Sequence, residues 1–148
     1  MRGEDVVELN RKYTLFSWSV QSAVNPIPFD RAEGVYFWDT AGKQYLDFSS
    51  QLVNLNIGHQ HPKVVQAIQD QAARFCFAQP GCATEPRGLL GKMLAEVTPG
   101  NLAKAFFCLG GAEANENAIK IARTYTKRWK ILARYRSYHG ATHGAIAL

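Results

Sequence analysis

Several common features are missing from this 148-residue sequence. No apolar run approaches the length that spans a membrane, and the polar opening MRGEDVVELNRKY lacks the apolar core of a secretory leader. Cysteine is scarce: the sequence has three, none in C-x-x-C spacing, and Cys108 lies within an apolar run. An odd count of that kind is typical of reduced thiols, so we expect a cytoplasmic protein. Because no apolar run is long enough to span a membrane, we expect no membrane partner.

The four histidines do not predict a metal site. His59 and His61 are two residues apart in a loop pattern. His139 and His143 would share a helix face only if a helix began at His139, which Gly140 disfavours. We interpret all four as structural loop histidines and expect no bound metal.

Acidic residues are absent after Glu116. The basic residues that follow it are Lys120, Arg123, Lys127, Arg128, Lys130, Arg134 and Arg136. A nucleic-acid surface is one interpretation, but no aromatic stacking platform accompanies these charges. The apolar run over residues 142–148 stops without a capping residue, so truncation explains the imbalance better, and we expect no nucleic-acid partner.

Two well-known phosphate motifs, Gly-Lys-Ser/Thr and G-x-G-x-x-G, are also absent. The stretch KAFFCLGGAEANENAIKIAR offers a different kind of site. Its apolar run over residues 105–109 predicts a buried strand, and a helical pattern begins directly after Gly110 and Gly111. Because N–H groups of a first helical turn have no partner within the helix, this junction predicts an anion cradle. A plain tight turn is the structural alternative.

A second strand, predicted over Ile131–Tyr135, completes a β-α-β unit. The expected inward face of its helix carries Ala114, Ala118, Ile121, Ala122 and Tyr125. Each strand is followed by a turn, Gly110-Gly111 or Tyr138-His139-Gly140, at the strand end where open α/β sheets bind ligands. One turn offers N–H groups that can bind a phosphate, and the other offers an aromatic ring that can stack on a ligand. Together they favour a ligand in which a phosphate is attached to a flat aromatic ring. A half-buried tyrosine near a turn is the structural alternative for Tyr138.

The preceding residues predict helices, a hairpin and loops. The first expected element is a helix over Asp5–Tyr13. Strands over Val35–Trp38 and Gln44–Phe48 follow, joined by a turn with Gly42 at positive φ. Two helices come next: one runs from Pro62 to about Phe75, and the other is capped by Thr84 and ends before Pro99. We place a helix and β-meander segment in residues 1–61 and the start of a larger domain in residues 62–148.

These residues resemble a known family. The matching segments are Arg31–Tyr36, Trp38-Asp39, Gly42-Lys43, Tyr45–Phe48, Gly58–Pro62, Gly111–Glu116 and Tyr138–Gly140. In this order and spacing they are similar to the N-terminal portion of class III aminotransferases, which bind pyridoxal 5′-phosphate (PLP). The resemblance runs from about Ser17 to the end and implies an α/β fold, the N-terminal part of a fold-type I PLP-dependent transferase.

The resemblance implies roles for individual residues. Gly111 and Ala112 correspond to the pair whose backbone N–H groups hold the cofactor phosphate, and Gly110 stands where many members have a serine. Tyr138, with His139 beside it, corresponds to the aromatic position that stacks on the pyridine ring. Trp18 lies where members acting on ω-amino acids line the substrate pocket. In acylornithine-type members an arginine follows the aromatic-His-Gly turn, whereas residue 141 here is alanine, which argues against that subgroup.

The implied reaction transfers an amino group from an amine or ω-amino acid to a keto acid such as pyruvate, in a homodimer. The family's cofactor-binding lysine lies beyond residue 148, so we expect no catalytic residue in this chain and no activity from it alone. An aminomutase or a transaminase with another donor is the nearest alternative. A truncated, non-catalytic domain that binds phosphate or a partner, or that supplies a subunit interface, is the alternative from another class.

Overall fold

The computed structural model describes all 148 residues, which form two compact units, Met1–Ala78 and Gln79–Leu148. The first unit contains α1 (Gly3–Tyr13), β1 (Phe29–Glu33), β2 (Tyr36–Asp39), β3 (Gln44–Leu46), α2 (Ser50–Val53) and α3 (Pro62–Arg74). The second contains α4 (Glu85–Val97), α5 (Gly111–Thr126) and α6 (His143–Ile146). The domain boundary expected after residue 61 stays a prediction. None of these helices combines the length and apolarity that a membrane crossing requires.

The sheet of the first unit is an antiparallel meander in the order β1-β2-β3, as the β-meander prediction expected. Asp39 organises the turn between β2 and β3. Its Oδ1 accepts hydrogen bonds from the N–H groups of Ala41 and Lys43, both at 2.9 Å, and its Oδ2 accepts one from the Tyr45 hydroxyl at 3.0 Å. Gly42 has φ +82°, which confirms the left-handed turn position that was predicted for it.

An aromatic column crosses the three strands on one face. The ring of Phe37 lies between those of Phe29 and Tyr45, with centroid separations of 5.0 and 4.9 Å. Phe37 and Tyr45 are paired in the antiparallel register and so share a face. Phe29 is paired with Asp39, two residues from Phe37, and its ring contacts Phe37 diagonally. Such aromatic pairs across neighbouring strands contribute to the stability of a sheet of short strands.

Asp47 and His59 join the end of the meander to the following loop. Asp47 Oδ2 lies 2.6 Å from His59 Nε2, and only 3% and 8% of the two side chains are exposed. Backbone hydrogen bonds between His59 and Gly34 add a second connection to the loop. Burial raises the pKa of the Asp47 carboxyl, but hydrogen bonds from Gln51, His59 and Ser49 outweigh it and lower that pKa to about 2. These contacts hold the loop that contains His59 against the end of the meander.

The short element α2 has the opposite hand from an ordinary helix. Its four residues, Ser50 to Val53, have φ values between +49° and +64°. Asp47 holds this turn by accepting hydrogen bonds from the N–H and the side-chain amide of Gln51, at 3.3 and 3.0 Å. Left-handed backbone conformation costs energy in L-residues. The hydrogen bonds to Asp47 therefore stabilise a strained turn.

The predicted helices of both units are confirmed. Pro62 occupies the first turn of α3, where its missing N–H costs nothing. Thr84 is the N-cap of α4 by backbone position, although its side chain makes no capping hydrogen bond. The helix after the glycine pair begins at Gly111, with Gly110 as its N-cap.

The two strands predicted in the second unit are not present as strands. Residues 105–109 and 131–135 have no ladder partner, and the three-stranded meander is the only sheet in the structure. A strand is stabilised by hydrogen bonds to a neighbouring strand, and neither segment has such a neighbour among the 148 residues. The β-α-β unit expected from the sequence is thus wrong as a paired unit in this structure, although its helix is correct.

The predicted inward face of α5 is wrong for the same reason. Ile121 and Tyr125 on that face are 56% and 87% exposed, because no sheet lies against them. The face that is packed carries Ala112, Asn115 and Glu116, and ends at the buried Ile119. Its partner is the segment that contains α6, in which Ala145 is only 1% exposed.

Candidate phosphate-binding site

The first turn of α5 presents unpaired backbone donors. The first hydrogen bond of the helix runs from the Ala114 N–H to the Gly110 carbonyl, at 3.0 Å. The N–H groups of Gly111, Ala112 and Glu113 precede it and have no acceptor within the helix. No side chain caps this end. The helix is 16 residues long, so its dipole adds a partial positive charge at the same place.

The glycine pair leaves this end open to a ligand. A Cβ atom added to Gly110 or to Gly111 would meet no atom within 4 Å. Gly110 has extended backbone, with φ −167° and ψ 170°, which any residue can adopt. The backbone conformation at Gly110 does not require glycine. The absence of side chains at Gly110 and Gly111 instead lets a ligand approach the backbone N–H groups.

One carboxylate in this turn is directed away from the donors. Glu113 Oε2 accepts a hydrogen bond from the Leu109 N–H at 2.9 Å, upstream of the glycine pair. The bond resembles one half of a capping box and satisfies a backbone donor before the helix. The Glu113 charge nevertheless lies in the first turn, where it opposes a bound anion.

The turn containing Tyr138 and His139 packs on this part of α5. Gly140, which is buried and has φ +132°, lies against Ala112: a Cβ added to it would be 2.5 Å from the Ala112 Cβ. The Asn115 side-chain amide donates a hydrogen bond to the His139 carbonyl at 2.7 Å. The structure therefore brings the predicted residues 110–112 and 138–139 to the same end of α5.

Glu116 makes the next contact along the same face. Its Oε1 accepts hydrogen bonds from the N–H groups of Gly144 at 2.6 Å and Ala145 at 3.1 Å. A hydrogen bond from the Thr142 side chain and these two amides lower the pKa of the Glu116 carboxyl, against a smaller opposing effect of burial. The carboxylate is thus ionised at neutral pH and matched by donors from one short segment.

The geometry matches a phosphate site beside a flat ring. It combines unpaired helix N–H groups, glycines with open space around them and an aromatic turn packed against the same helix.

Residues 18–148 match the family model for Aminotransferase class-III. The chain belongs to this family. The membership confirms the resemblance seen in the sequence, and the matched residues begin at Trp18.

Individual relatives support the assignment. The chain is 39% identical to the leucine/methionine racemase of Thermococcus litoralis, over 100% of this chain and 33% of that protein. It is 43% identical to 4-aminobutyrate aminotransferase GabT of Escherichia coli strain K12, over 84% of this chain and 30% of that protein. Among solved structures, the taurine:2-oxoglutarate aminotransferase from Bifidobacterium kashiwanohense, in complex with PLP and glutamate, has 46% identity and a TM-score of 0.91, over 98% of this chain and 32% of that one.

The chain thus spans about a third of the length of these relatives. The structural likeness confirms the predicted fold class, the N-terminal part of a fold-type I transferase. The unpaired segments at residues 105–109 and 131–135 are compatible with that class, because a shorter chain has fewer strands with which they can pair.

Within the class III fold, Tyr138 and His139 differ in exposure. Tyr138 is 66% exposed, so much of its ring is accessible to a ligand. His139 is half-buried, and its Nε2 atom is buried without a hydrogen-bond partner. A buried imidazole nitrogen of that kind is satisfied when a further donor or acceptor reaches it. The cofactor-binding roles expected for both residues stay predictions.

Trp18 belongs to the first compact unit, and its substrate-binding role also stays a prediction. It has φ +54° and is 75% exposed. Left-handed backbone at a bulky residue is uncommon and marks a position worth testing.

Sequence reasoning missed Asn115 and Glu116. Both were part of the matching segment Gly111–Glu116, yet neither was assigned a task. The available signal was their spacing: they follow Ala112 by three and four residues and precede Ile119, so all four lie on one helix face. Polar residues on a face that also carries a buried isoleucine indicate buried polar contacts.

Proposed function

We propose that the second unit binds pyridoxal 5′-phosphate, with the phosphate on the N–H groups of Gly111 and Ala112. The observation that carries this proposal is the open first turn of α5, whose donors are unpaired and whose glycines have no atom within 4 Å of an added Cβ. Tyr138, on the turn packed against Ala112, is the ring that would stack on the cofactor. His139 follows Tyr138 on the same turn, and its cofactor-binding role is part of this proposal.

When bound, PLP supplies an electron-withdrawing ring that stabilises negative charge on the carbon bearing the amino group. The residues of this chain anchor and orient that ring. Gly111 and Ala112 donate to the phosphate, while Gly110 removes any side chain from the approach. Tyr138, which is 66% exposed, would limit the tilt of a flat ligand by stacking on it.

The parent reaction that we propose moves an amino group from an ω-amino acid or amine to a keto acid such as pyruvate. Support comes from the similarity to enzymes named for 4-aminobutyrate and for taurine as donors. The taurine enzyme is named for 2-oxoglutarate as acceptor, so this keto acid belongs in the same test as pyruvate. We further propose that the working enzyme is a homodimer and that this chain carries its phosphate cradle and ring-stacking residue.

A second candidate is a reaction that returns the amino group to the same substrate. Its support is the 39% identity to a leucine/methionine racemase over the whole chain. An aminomutase would share that property. Such a reaction needs no keto acid acceptor, so a dependence of turnover on added keto acid distinguishes the two candidates.

The cofactor proposal is tested by titrating the chain with PLP and following absorbance and thermal stability for the wild type and Gly111→Asp. An added side chain at Gly111 meets no atom within 4 Å, and an acidic residue at a helix start stabilises the helix, so the variant should fold. The new carboxylate repels the phosphate, and we expect PLP affinity to fall at least about tenfold.

The matched control is Gly88→Asp, which adds the same charge at an open glycine near the start of α4. It should leave PLP affinity unchanged. Equal stabilisation by PLP in the wild type and Gly111→Asp would show that the cofactor is not held at this turn.

A further inference from the structure

Three contacts follow one another along a single face of α5. Gly140 rests on Ala112, the His139 carbonyl accepts from Asn115, and the amides of Gly144 and Ala145 donate to Glu116. The partners of Asn115 and Glu116 lie 24 to 29 residues away along the chain. These contacts therefore determine where the Tyr138 turn lies relative to the helix, and not how the helix itself forms.

The two polar contacts hold the turn from both sides of Gly140. Asn115 acts on His139, directly after Tyr138, and Glu116 acts on the start of α6, four residues beyond Gly140. Neither side chain lies in the first two helical positions, whose N–H groups have no acceptor within the helix. Asn115 and Glu116 are thus placed to act on the turn and not on a phosphate.

We infer that Asn115 and Glu116 are positioning residues that fix the Tyr138-His139-Gly140 turn against the first turn of α5. By doing so they align the ring-stacking residue with the phosphate cradle. The inference rests on the proposed function for the identity of the ligand, whereas the contacts themselves are independent of it. It predicts that losing either side chain weakens a ligand that has both a phosphate and a ring more than it weakens phosphate alone.

The experiment uses Asn115→Ala and Glu116→Ala in the 148-residue chain. Two measurements are made on each: amide hydrogen exchange of peptides covering residues 138–146, and affinity for PLP and for inorganic phosphate. Asn117→Ala and Glu113→Ala are the matched controls for exchange, because their side chains bond the Glu113 carbonyl and the Leu109 N–H and do not contact the turn. Asn117→Ala alone is the control for affinity, because the Glu113 charge opposes a bound anion. Alanine has the highest intrinsic helix propensity, so none of the four substitutions lowers the propensity of α5.

We expect exchange in residues 138–146 to accelerate about tenfold in both test variants and in neither control. The ratio of PLP affinity to phosphate affinity should fall by about tenfold in Glu116→Ala, the size of one hydrogen bond to a charged group. In Asn115→Ala, which loses one neutral hydrogen bond, the ratio should fall by about threefold. Glu116→Gln keeps one acceptor oxygen and should restore part of both effects.

Unchanged exchange in both test variants would overturn the inference, as would an equal loss of PLP and phosphate affinity. If Glu116→Ala does not fold, Asn115→Ala, which removes a single neutral hydrogen bond, decides between these outcomes. If the wild type binds neither ligand, the proposed function fails, and the exchange data alone decide whether the two side chains hold the turn.

Discussion

Gly140 and Ala112 are in such close contact that no side chain fits between them. A Cβ at Gly140 would lie 2.5 Å from the Cβ and 2.8 Å from the Cα of Ala112. Gly140 also has φ +132°, a conformation that L-residues rarely adopt. Sterics and backbone conformation therefore both require glycine at the point where the Tyr138 turn meets α5.

Gly140→Ala should destabilise the chain by about 1–3 kcal/mol, from strain in the backbone and overlap with Ala112. Urea unfolding followed by circular dichroism measures the change. Cofactor affinity should fall as well, because the turn must move away from the cradle.

The control for this variant is Gly88→Ala, since an added Cβ there meets no atom within 4 Å in a helical position. It should stabilise the chain by about 0.5–1 kcal/mol. Combining Gly140→Ala with Ala112→Gly removes one of the two overlapping atoms and should recover part of the loss. Additive effects of the two substitutions would contradict direct contact.

Asp47 should make the chain sensitive to acid. Folding lowers the pKa of its carboxyl from 3.8 to about 2, so its ionised form stabilises the fold above the higher value. That contribution is lost as the pH falls from about 4 toward about 2. Asp47→Asn should be less stable than the wild type at neutral pH and show a smaller loss across this window.

Unfolding curves at several pH values test this expectation. Asp70→Asn, which changes an exposed carboxylate on α3, should behave as the wild type does. Parallel pH profiles for the wild type and Asp47→Asn would refute the stabilising role given to the ionised Asp47 carboxylate.

The left-handed turn α2 offers a stabilising substitution. Val53 has φ +64° and is 73% exposed, so glycine would relieve strain at little cost in burial. We expect Val53→Gly to raise the free energy of unfolding by about 0.5–1 kcal/mol after the entropy of glycine is subtracted. Val64→Gly in α3 should instead lower it by about 0.5 kcal/mol. A destabilised Val53→Gly would show that the turn is not strained at this residue.

Local signals predicted most of the fold correctly. The meander followed from a glycine turn between aromatic segments, and α3 from a proline at its first turn, each readable within a few residues. Residues 105–109 and 131–135 had equally good local patterns, yet they are not strands, because strand formation depends on a neighbour elsewhere in the chain. The face assigned to α5 failed with them, since it presupposed that sheet.

In the candidate site, too, local features could be predicted from the sequence and long-range contacts could not. The unpaired donors at Gly111 and Ala112 follow from any helix that begins after glycines, so the sequence sufficed to predict them. The tasks of Asn115 and Glu116 depend on partners at least 24 residues away, which no local pattern specifies. Long-range hydrogen bonds became visible only in the folded chain.

Trp18 can be tested without turnover. A reduced, stable conjugate of PLP with 4-aminobutyrate carries both a cofactor and a donor group, and its affinity can be compared with that of PLP. If Trp18 lines the donor site, Trp18→Ala should weaken the conjugate by about tenfold and leave PLP unchanged. Trp129→Ala, which removes a ring near Arg123, is the control. Equal conjugate affinity in wild type and Trp18→Ala would remove Trp18 from the donor site.

Gly110 stands where many family members have serine, and this difference predicts a gain of affinity. The extended backbone at Gly110 suits serine, and an added Cβ would meet no atom within 4 Å. A serine hydroxyl at this N-cap can donate to a bound phosphate, which adds one hydrogen bond to a charged group. We expect Gly110→Ser to bind PLP and inorganic phosphate about tenfold more tightly than the wild type.

Gly110→Ala separates the hydroxyl from the added carbon. It places a methyl group at the same position without a donor, so its phosphate affinity should equal or fall below that of the wild type. Isothermal titration of all three chains with inorganic phosphate measures the difference directly, and PLP titration checks that the cofactor follows it. An equal gain in the serine and alanine variants would assign the effect to the helix and not to the ligand. No gain in the serine variant would mean that the phosphate does not lie over residue 110, and the cradle would have to be placed elsewhere on α5.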